Sequence, residues 1–320
     1  MSQSGRFLNL KNFKFSERIT TIARRAVQII SFLFINYMIF EFIFQADLSA
    51  LEGFVKILPI LNSARNPLSE GAGTTEYIFY AISQGIFPLL IIAGFMLVIL
   101  FTSRFFCGWI CPIGTIQDAV SYIPVENKTM KLSTHKQLLK LKYLIAIVLI
   151  VLIVPLGISR TTDIGFYREF KEGLGAFSDK PVGFFSLSEY IFVFFPNLIV
   201  EMFDTGGIQP LFADFGTFFI FAFYIGIILI SVWYPRFYCR YMCPFGAFAA
   251  VVGDYSLLKL SRSPVKCVGR AECGICEREC PKQIRILDEP FEFFTGQGEC
   301  NLCLKCKERC PYTAITVRFG

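Results

Sequence analysis

Eight cysteines near the carboxyl end of this chain form two similar runs, which constrain its fold more than any other feature. The two runs are Cys267, Cys273, Cys276 and Cys280-Pro281, then eighteen residues later Cys300, Cys303, Cys306 and Cys310-Pro311. The second has the spacing C-x2-C-x2-C-x3-C-P, and the first adds three residues after its opening cysteine. Three thiolates from one tight loop and a fourth from a distant cysteine suit the binding of an iron–sulfur cubane.

The order of the cysteines predicts which thiolates share a cluster. In two-cluster bacterial ferredoxins, the distant cysteine of each run is a ligand of the other run's cluster. The two [4Fe–4S] ligand sets so predicted are Cys267, Cys273, Cys276 and Cys310, and Cys300, Cys303, Cys306 and Cys280.

Eight cysteines could also hold two structural zinc ions or form four disulfides. Zinc sites usually pair two C-x2-4-C units across a longer gap and require no proline after the last cysteine. Disulfides need an oxidising compartment, which the charge pattern described below argues against. The motif therefore favours clusters, and we predict that residues 259–320 form a small α+β ferredoxin-like domain with two [4Fe–4S] clusters.

The rest of the chain, residues 1–258, is predicted to be an α-helical membrane domain. The 320 residues are 54% hydrophobic, with a mean hydropathy of +0.54, which is too apolar for an ordinary soluble domain. A helix needs about 20 apolar residues to cross a bilayer, with a lower limit near 17. Four runs approach that length and predict four transmembrane helices, at 26–44, 80–101, 143–159 and 215–234.

Positive charge sets the predicted orientation. Lys and Arg are concentrated before the first apolar run, between the second and third, and after the fourth. Basic connections stay on the cytoplasmic side, so both termini and the cysteine runs are predicted to face the cytoplasm at the inner membrane. Because the charge lies in these connections, the net charge of +6 does not indicate a nucleic-acid partner.

Two further segments are harder to assign. Segment 187–203 is nearly long enough to cross but contains Glu189, Pro196 and Glu201. Counting it as a fifth span would move the cysteine runs outside, so we predict an interfacial or re-entrant element. The single histidine, His135, lies in a polar Lys-rich segment and is predicted to be a solvated loop residue.

A second cysteine pattern is repeated at the predicted membrane edge. Both copies read R-F-[FY]-C-x3-C-P-x-G and follow directly after the second and fourth apolar runs. The repeat suggests two halves packed around a pseudo-symmetry axis, with both cysteine pairs at the inner surface. Its matching residues are Arg104, Cys107, Cys111, Pro112 and Gly114, and Arg236, Cys239, Cys243, Pro244 and Gly246.

The spacing within each pair predicts a chemistry. In a regular helix, residues four apart share a face about 5–6 Å apart at Cβ, which strains a disulfide but suits a shared metal. Two facing pairs would make a four-thiolate metal or iron–sulfur site, with Arg104 and Arg236 offsetting the thiolate charge. The prolines are predicted to end the helices, and the glycines to allow the following turn. A redox-active thiol pair and a structural turn with buried cysteines remain open alternatives.

From about Tyr80 to its last residue, the chain resembles the NapH-type membrane ferredoxins. The resemblance rests on the two C-x3-C-P motifs, the four apolar runs and the two carboxyl-terminal cysteine runs together. The broader group includes the membrane part of NosR and the CcoG, RdxA and FixG proteins. It implies that the eight carboxyl-terminal cysteines bind clusters, and it also covers Cys107, Cys111, Cys239 and Cys243.

The resemblance also implies a function. Members of the group transfer electrons between the membrane quinone pool and a partner redox protein, in the manner of a quinol dehydrogenase component. We therefore predict a lipid-embedded iron–sulfur protein with quinone and a redox protein or complex as partners. Two alternatives are a reductase that assembles or matures a partner metalloenzyme, and an accessory electron-transfer subunit of a larger membrane complex.

Overall fold

The computed structural model describes residues 19–36, 74–125, 128–175 and 182–320, and these residues are mainly helical. Two strands, β1 Leu258–Arg262 and β2 Ile315–Phe319, enclose the carboxyl-terminal cysteine runs. In chain order the helices are α1 Ile19–Ile35, α2 Thr74–Ser83, α3 Leu89–Thr102, α4 Phe105–Trp109, α5 Pro112–Val120, α6 Leu132–Thr162, α7 Ile164–Leu174, α8 Leu187–Glu189, α9 Phe195–Thr205, α10 Gln209–Phe212, α11 Phe215–Trp233, α12 Phe237–Tyr241, α13 Pro244–Gly253, α14 Gly269–Glu272, α15 Ile275–Arg278 and α16 Lys305–Glu308.

Two helices of the described chain, α6 and α11, are long and apolar enough to cross a membrane. Helix α11 coincides with the predicted span 215–234, and α6 contains the predicted span 143–159 within its 31 residues. On α6, Leu149, Ile153 and Leu156 are fully buried, at spacings of four and three residues. Such spacing places one apolar face against the core. Other apolar side chains of the helix, including Ile147 and Val151, are about 60% exposed, as lipid contact requires.

The apolar run 80–101 differs from the single predicted span. The structure divides it into α2 and α3, separated by a short break that contains Gly85 and Pro88. Gly85 has φ +70°, a left-handed conformation that ends α2, and Pro88 lacks the N–H that a continuous helix would need. In place of the predicted span 26–44, helix α1 begins at Ile19, and residues 37–44 lie outside the described residues.

Segment 187–203 is helical in three joined parts. Helix α8 continues into a π-helical turn at Tyr190–Phe194, and α9 follows directly. Pro196 explains the wider turn, because its ring clashes with the carbonyl four residues earlier and it cannot donate to that carbonyl. Leu187, Tyr190 and Leu198 are buried, so the segment packs on the helical core. Its interfacial or re-entrant placement stays a prediction.

The carboxyl-terminal part has its own small core. β1 and β2 pair antiparallel, with Leu258 opposite Phe319 and Arg262 opposite Ile315. Leu260, Phe294 and Ile315 are each at most 3% exposed and form an apolar cluster together with several of the cysteines.

Helix α1 contacts both ends of the site described below. The backbone N–H of Thr21 donates to Glu308 Oε1 at 3.0 Å, and Gln28 Nε2 donates to the carbonyl of Gly108 at 3.0 Å. The beginning of α1 therefore lies against the second cysteine run, and its middle lies against the first C-x3-C-P motif.

The prediction for His135 is wrong. The residue lies in the first turn of α6, is 8% exposed, and its Nδ1 is 2.7 Å from the hydroxyl of Tyr241. The polar Lys-rich segment extends the helix instead of forming a loop, and its one buried polar ring is satisfied by the tyrosine.

Candidate metal centres

The first group of carboxyl-terminal cysteines surrounds one cavity. Its four members are those predicted from the ferredoxin spacing, Cys267, Cys273, Cys276 and Cys310. The backbone N–H of Ala314 donates to Cys310 Sγ at 3.3 Å, and burial raises the pKa of the Cys276 thiol to about 11. A buried thiol of this kind becomes a thiolate only beside a compensating positive charge, such as iron.

The second group is more deeply buried. Cys303 and Cys306 are 8% and 6% exposed. Burial, followed by the neighbouring cysteine charges, raises the pKa of Cys306 far above its ordinary value and that of Cys300 to about 12. The cysteines whose charges act on Cys306 include the rest of the predicted set, Cys280, Cys300 and Cys303.

The backbone of the second run takes an uncommon path between its cysteines. Leu302 and Leu304, on either side of Cys303, have φ of +47° and +58°. Gly274 follows Cys273 in the first run and has φ +62°, so the left-handed residue recurs at the same place. Left-handed non-glycine residues cost on the order of 1–3 kcal/mol each and cluster at functional sites. The two runs therefore share a left-handed residue directly after the second cysteine, and only the second run, with leucines in this conformation, has a local conformational cost.

The two groups are adjacent. The charge of Cys276 acts on Cys306, and both side chains belong to the same apolar cluster. The two groups differ in exposure by degree. In the first group only Cys276 is buried and the other three cysteines are partly exposed, whereas in the second Cys303 and Cys306 are buried and Cys280 and Cys300 are partly exposed. The first group thus faces the outside, and the second lies between it and the helical part.

A third group lies at the helical part. Cys107, Cys111, Cys239 and Cys243 line one cavity, as two facing pairs were predicted to do. Burial, then the charges of Cys243 and Cys111, raises the pKa of the Cys239 thiol far above its ordinary value. The structure therefore brings the four repeated cysteines together; metal binding by them stays a prediction.

The local geometry of each pair differs from the predicted single helix. Cys107 lies in α4, which ends at Trp109, whereas Cys111 is the residue that precedes α5 and has ψ 123°. The following proline begins α5, where its missing N–H costs nothing. Cys239 in α12 and Cys243 before α13 repeat this arrangement. The prediction that the prolines end their helices is thus incomplete, because they also begin the next ones.

Both glycines of the repeat lie where a side chain would clash, but with different neighbours. A Cβ atom on Gly246 would lie 2.8 Å from Arg104 Nη2 of the opposite half, and one on Gly114 would lie 2.7 Å from the carbonyl oxygen of Cys107 in its own motif. Both glycines lie in the first turn of a helix and not in the turn predicted after it. Arg236 Nη1 also donates to the carbonyl of Cys107 at 3.2 Å. Each arginine therefore crosses to the other motif and lines the four-cysteine cavity, as predicted for cations near the thiolates.

Two buried carboxylates balance these arginines. Asp118 accepts two hydrogen bonds from Arg236, each 2.7 Å long. Glu299 accepts one from Arg104 at 2.7 Å and pairs with Lys142. Burial would raise the pKa of Asp118, but the Arg236 guanidinium holds it well below its usual range. Burial would likewise raise the pKa of Glu299, but the charge of Arg104 and its neighbours lowers it to about 2.

The two carboxylates are not related by the repeat. Asp118 lies seven residues after Cys111, and the position seven residues after Cys243 is Ala250. There the cysteine loop packs directly on α13, since a Cβ atom on Gly298 would lie 1.9 Å from the carbonyl of Ala250. The second half therefore has no equivalent of Asp118, and Arg104 of the first half pairs instead with Glu299 from the cysteine loop.

Lys282 joins the second group to the third. It follows Cys280-Pro281 in the chain, lines the four-cysteine cavity, and donates to the carbonyl of Cys239 at 3.2 Å. Trp109 adds another connection, with its Nε1 donating to the carbonyl of Leu302 at 2.9 Å. The three cysteine groups thus lie in series.

Sequence reasoning missed Asp118, Glu299 and Lys282. Each is a single charged residue among apolar or cysteine neighbours, and its partner is distant in the chain. The available signal was the repeat itself, which breaks its pattern at Ala250 where the other copy has Asp118.

The charges around the sulfurs fit anionic cofactors. Three buried carboxylates near the sulfurs, Glu76, Asp118 and Glu299, face a larger number of buried cationic side chains, and buried charges in proteins are normally balanced. The cationic ones are Arg24, Arg104, Lys142, Arg236, Arg240, Arg262 and Lys282. A cubane held by four thiolates carries net negative charge and would supply the balance. In the described chain no three His, Cys, Asp or Glu side chains could share one metal ion, and a cubane does not require this, because each thiolate binds a different iron.

Comparison with known proteins identifies the repeat. The family described as a 4Fe-4S binding domain matches the chain twice, at residues 84–131 and 216–263. Each match holds one C-x3-C-P pair, and not the carboxyl-terminal runs. No solved structure matches the chain.

Curated relatives share these features over much of the chain. The uncharacterized protein MJ0749 of Methanocaldococcus jannaschii is 26% identical over 67% of this chain and 63% of its own length. The putative electron transport protein YccM of Escherichia coli is 26% identical over 72% of this chain and 55% of its own. The regulatory protein NosR of Stutzerimonas stutzeri is 25% identical over 64% of this chain. The chain is a relative of the NosR-containing group.

The predicted resemblance to that group is thereby confirmed, and the presence of 4Fe-4S binding domains supports the predicted iron–sulfur clusters. The match to NosR covers 24% of that protein's length, so the two share one part only. The relatives MJ0749 and YccM are likewise longer than the portions matched here.

Proposed function

We propose that this NosR-group relative is a membrane-anchored electron-transfer protein that passes single electrons between the quinone pool and a partner redox protein or complex. The observation that carries the proposal is the serial arrangement of three cysteine groups from a partly exposed surface to the helical part. The similarity to YccM, a putative electron transport protein, agrees with it.

The residues of the chain have distinct parts in this function. When bound, a [4Fe–4S] cluster accepts or gives one electron at a time. The partly exposed cysteines Cys267 and Cys310 would present their centre to a soluble partner. The buried second group keeps water away from its sulfurs, and Lys282 holds it against the four-cysteine cavity. To pass electrons along, such a protein has to hold successive centres close together.

We propose that the helical part lies in the inner membrane with the cysteine runs on the cytoplasmic side. The apolar exposed faces of α6 and α11 support membrane insertion. The contact between Thr21 and Glu308 supports placing the start of α1 and the cysteine runs on the same side of the membrane. Basic residues flank the same parts of the chain. We also propose domain limits of 1–258 and 259–320, within one residue of the start of β1 at Leu258.

Electron transfer is expected to stop when the second group loses one thiolate. Cys306→Ala in lipid vesicles should abolish electron flow from a short-chain quinol to ferricyanide, because Cys306 is buried between the other two groups. Lys307→Ala, at the exposed neighbouring position, should leave the rate unchanged. An undiminished rate in Cys306→Ala would refute the conduit.

The four-cysteine cavity is proposed as a third iron–sulfur centre. Cys107, Cys111, Cys239 and Cys243 line it together with the cations Arg104, Arg236 and Lys282. Purified protein should then contain about twelve irons per chain, and the double variant Cys107→Ser/Cys239→Ser about eight. Eight irons in the unmodified protein would leave this cavity without iron and favour a thiol pair or a structural role.

A further inference from the structure

Arg24 is a buried guanidinium to which the described residues supply no hydrogen-bond acceptor. Its side chain is 0% exposed, and Nε, Nη1 and Nη2 all lack a hydrogen-bond partner among residues 19–36, 74–125, 128–175 and 182–320. The carboxylate oxygen paired with it, Asp118 Oδ2, is 3.7 Å from Nη2, which is too long for a hydrogen bond. A buried donor left unsatisfied costs about 1–3 kcal/mol, and more when it is charged, so three such nitrogens in one side chain call for an explanation.

The Asp118 oxygen paired with Arg24, Oδ2, has no acceptor capacity left. It accepts from Arg236 Nη2, Arg25 Nη1 and Gln28 Nε2, whereas Oδ1 accepts from Arg236 Nε. A carboxylate oxygen offers about two lone-pair sites, and Oδ2 already accepts more hydrogen bonds than that. The charge of Arg24 is therefore in excess within its own ion cluster.

The side chain of Cys303, a member of the second cysteine group, is close enough to Arg24 for a thiolate there to act on the guanidinium. Helix α1 is fixed at this place by contacts on both sides of Arg24. Three residues earlier, the N–H of Thr21 donates to Glu308, and four residues later, Gln28 donates to Gly108. The guanidinium is thus held between Asp118 and the second group.

We propose that Arg24 donates hydrogen bonds to the sulfurs of the centre held by Cys280, Cys300, Cys303 and Cys306, and raises its reduction potential. The inference rests on the proposed function, since it requires iron and sulfide at these cysteines. Arginine has five donors and no acceptor, and thiolate and sulfide sulfurs are acceptors. Reduction adds one electron to an already anionic centre, so a permanent cation and hydrogen bonds to sulfur stabilise the reduced form. Arg24 is then a positioning and tuning residue.

The test is a redox titration of the purified protein followed by EPR. In Arg24→Gln, one of the centres should become harder to reduce. At a fixed potential its ratio of reduced to oxidised form should fall at least about tenfold, which is 59 mV for a one-electron couple. The more distant centre, which is held by Cys267, Cys273, Cys276 and Cys310, should keep its potential.

Two matched variants are compared with Arg24→Gln. Arg25→Gln changes the next residue of α1, whose guanidinium is 21% exposed and bonds to Tyr122, Gln28 and Asp118; its centres should titrate as in the unmodified protein. Arg24→Lys keeps the charge but loses the planar set of donors, so it should shift the same centre in the same direction by less.

The outcomes separate the two claims. Iron absent from the unmodified protein overturns the proposed function. Iron present with unchanged potentials in Arg24→Gln overturns only the part assigned to Arg24. If Arg24→Gln fails to bind iron, Arg24→Lys decides, and an unchanged potential there also overturns the inference. Equal shifts in Arg24→Gln and Arg25→Gln would indicate a general charge effect and would likewise overturn it.

Discussion

Replacing Cys310 with serine is expected to remove the centre of the first cysteine run, although Cys310 itself lies in the second. The reason is geometric, because Cys310 lines the same cavity as Cys267, Cys273 and Cys276. The reciprocal change, Cys280→Ser, should remove the centre of the second run. Each single variant should lose about four irons per chain, the content of one cubane.

Double variants decide the pairing without any need to tell the two spectra apart. Cys273→Ser/Cys310→Ser should lose no more iron than either single change, because both ligands belong to one centre. Cys303→Ser/Cys310→Ser should lose about eight irons, because two centres are affected. Iron and sulfide analysis on purified protein measures both. The opposite pattern, with additive loss in the first double variant, would show that each run binds its own cluster.

Asp118→Asn is expected to destabilise the protein by about 3–5 kcal/mol, the usual cost of removing one partner from a buried ion pair. The asparagine keeps the shape of the side chain but removes its charge. Arg236 would then be buried without a counterion, and Arg25 would lose its carboxylate as well. Helix α1 and the first motif should separate first, because Asp118 links them.

The matched control is Asp288→Asn. Asp288 pairs with Arg270 and Arg285, but its side chain is 50% exposed, and water replaces such partners readily. Chemical unfolding in detergent, followed by tryptophan fluorescence and iron release, compares the two variants. If the two variants had the same midpoint of chemical unfolding, the buried ion cluster would contribute no stability.

The sequence carried the local patterns and missed the contacts between distant segments. Cysteine spacing predicted which thiols would surround a common cavity, because the loop that fixes them is encoded within each run. The repeat predicted that Cys107 and Cys239 would meet, because matching positions of two halves face each other across an axis. Composition predicted apolar helices, and α11 has nearly the predicted limits.

The errors arose where packing outweighs the local pattern. The run 80–101 is mainly apolar, but a left-handed Gly85 divides it. His135 was predicted to be solvated on account of its polar neighbours, yet Tyr241 from α12 gives it a buried partner. Gly246 was predicted to form a turn, whereas it accommodates Arg104 from the other half. Tyr241 and Arg104 lie far along the chain from the residues that they contact, so a short stretch of sequence does not reveal these contacts.

The unequal counterions of the two halves bear on the order in which the protein is made. Arg236 finds its carboxylate, Asp118, in a helix that the ribosome has already delivered. Arg104 has to wait for Glu299, which is translated almost two hundred residues later. Until then, the nascent helical scaffold carries a cation without its counterion. Docking of the last segment, together with delivery of its metal, thus completes the biogenesis of the scaffold, and arrest before Glu299 should yield a product that quality-control proteases recognise.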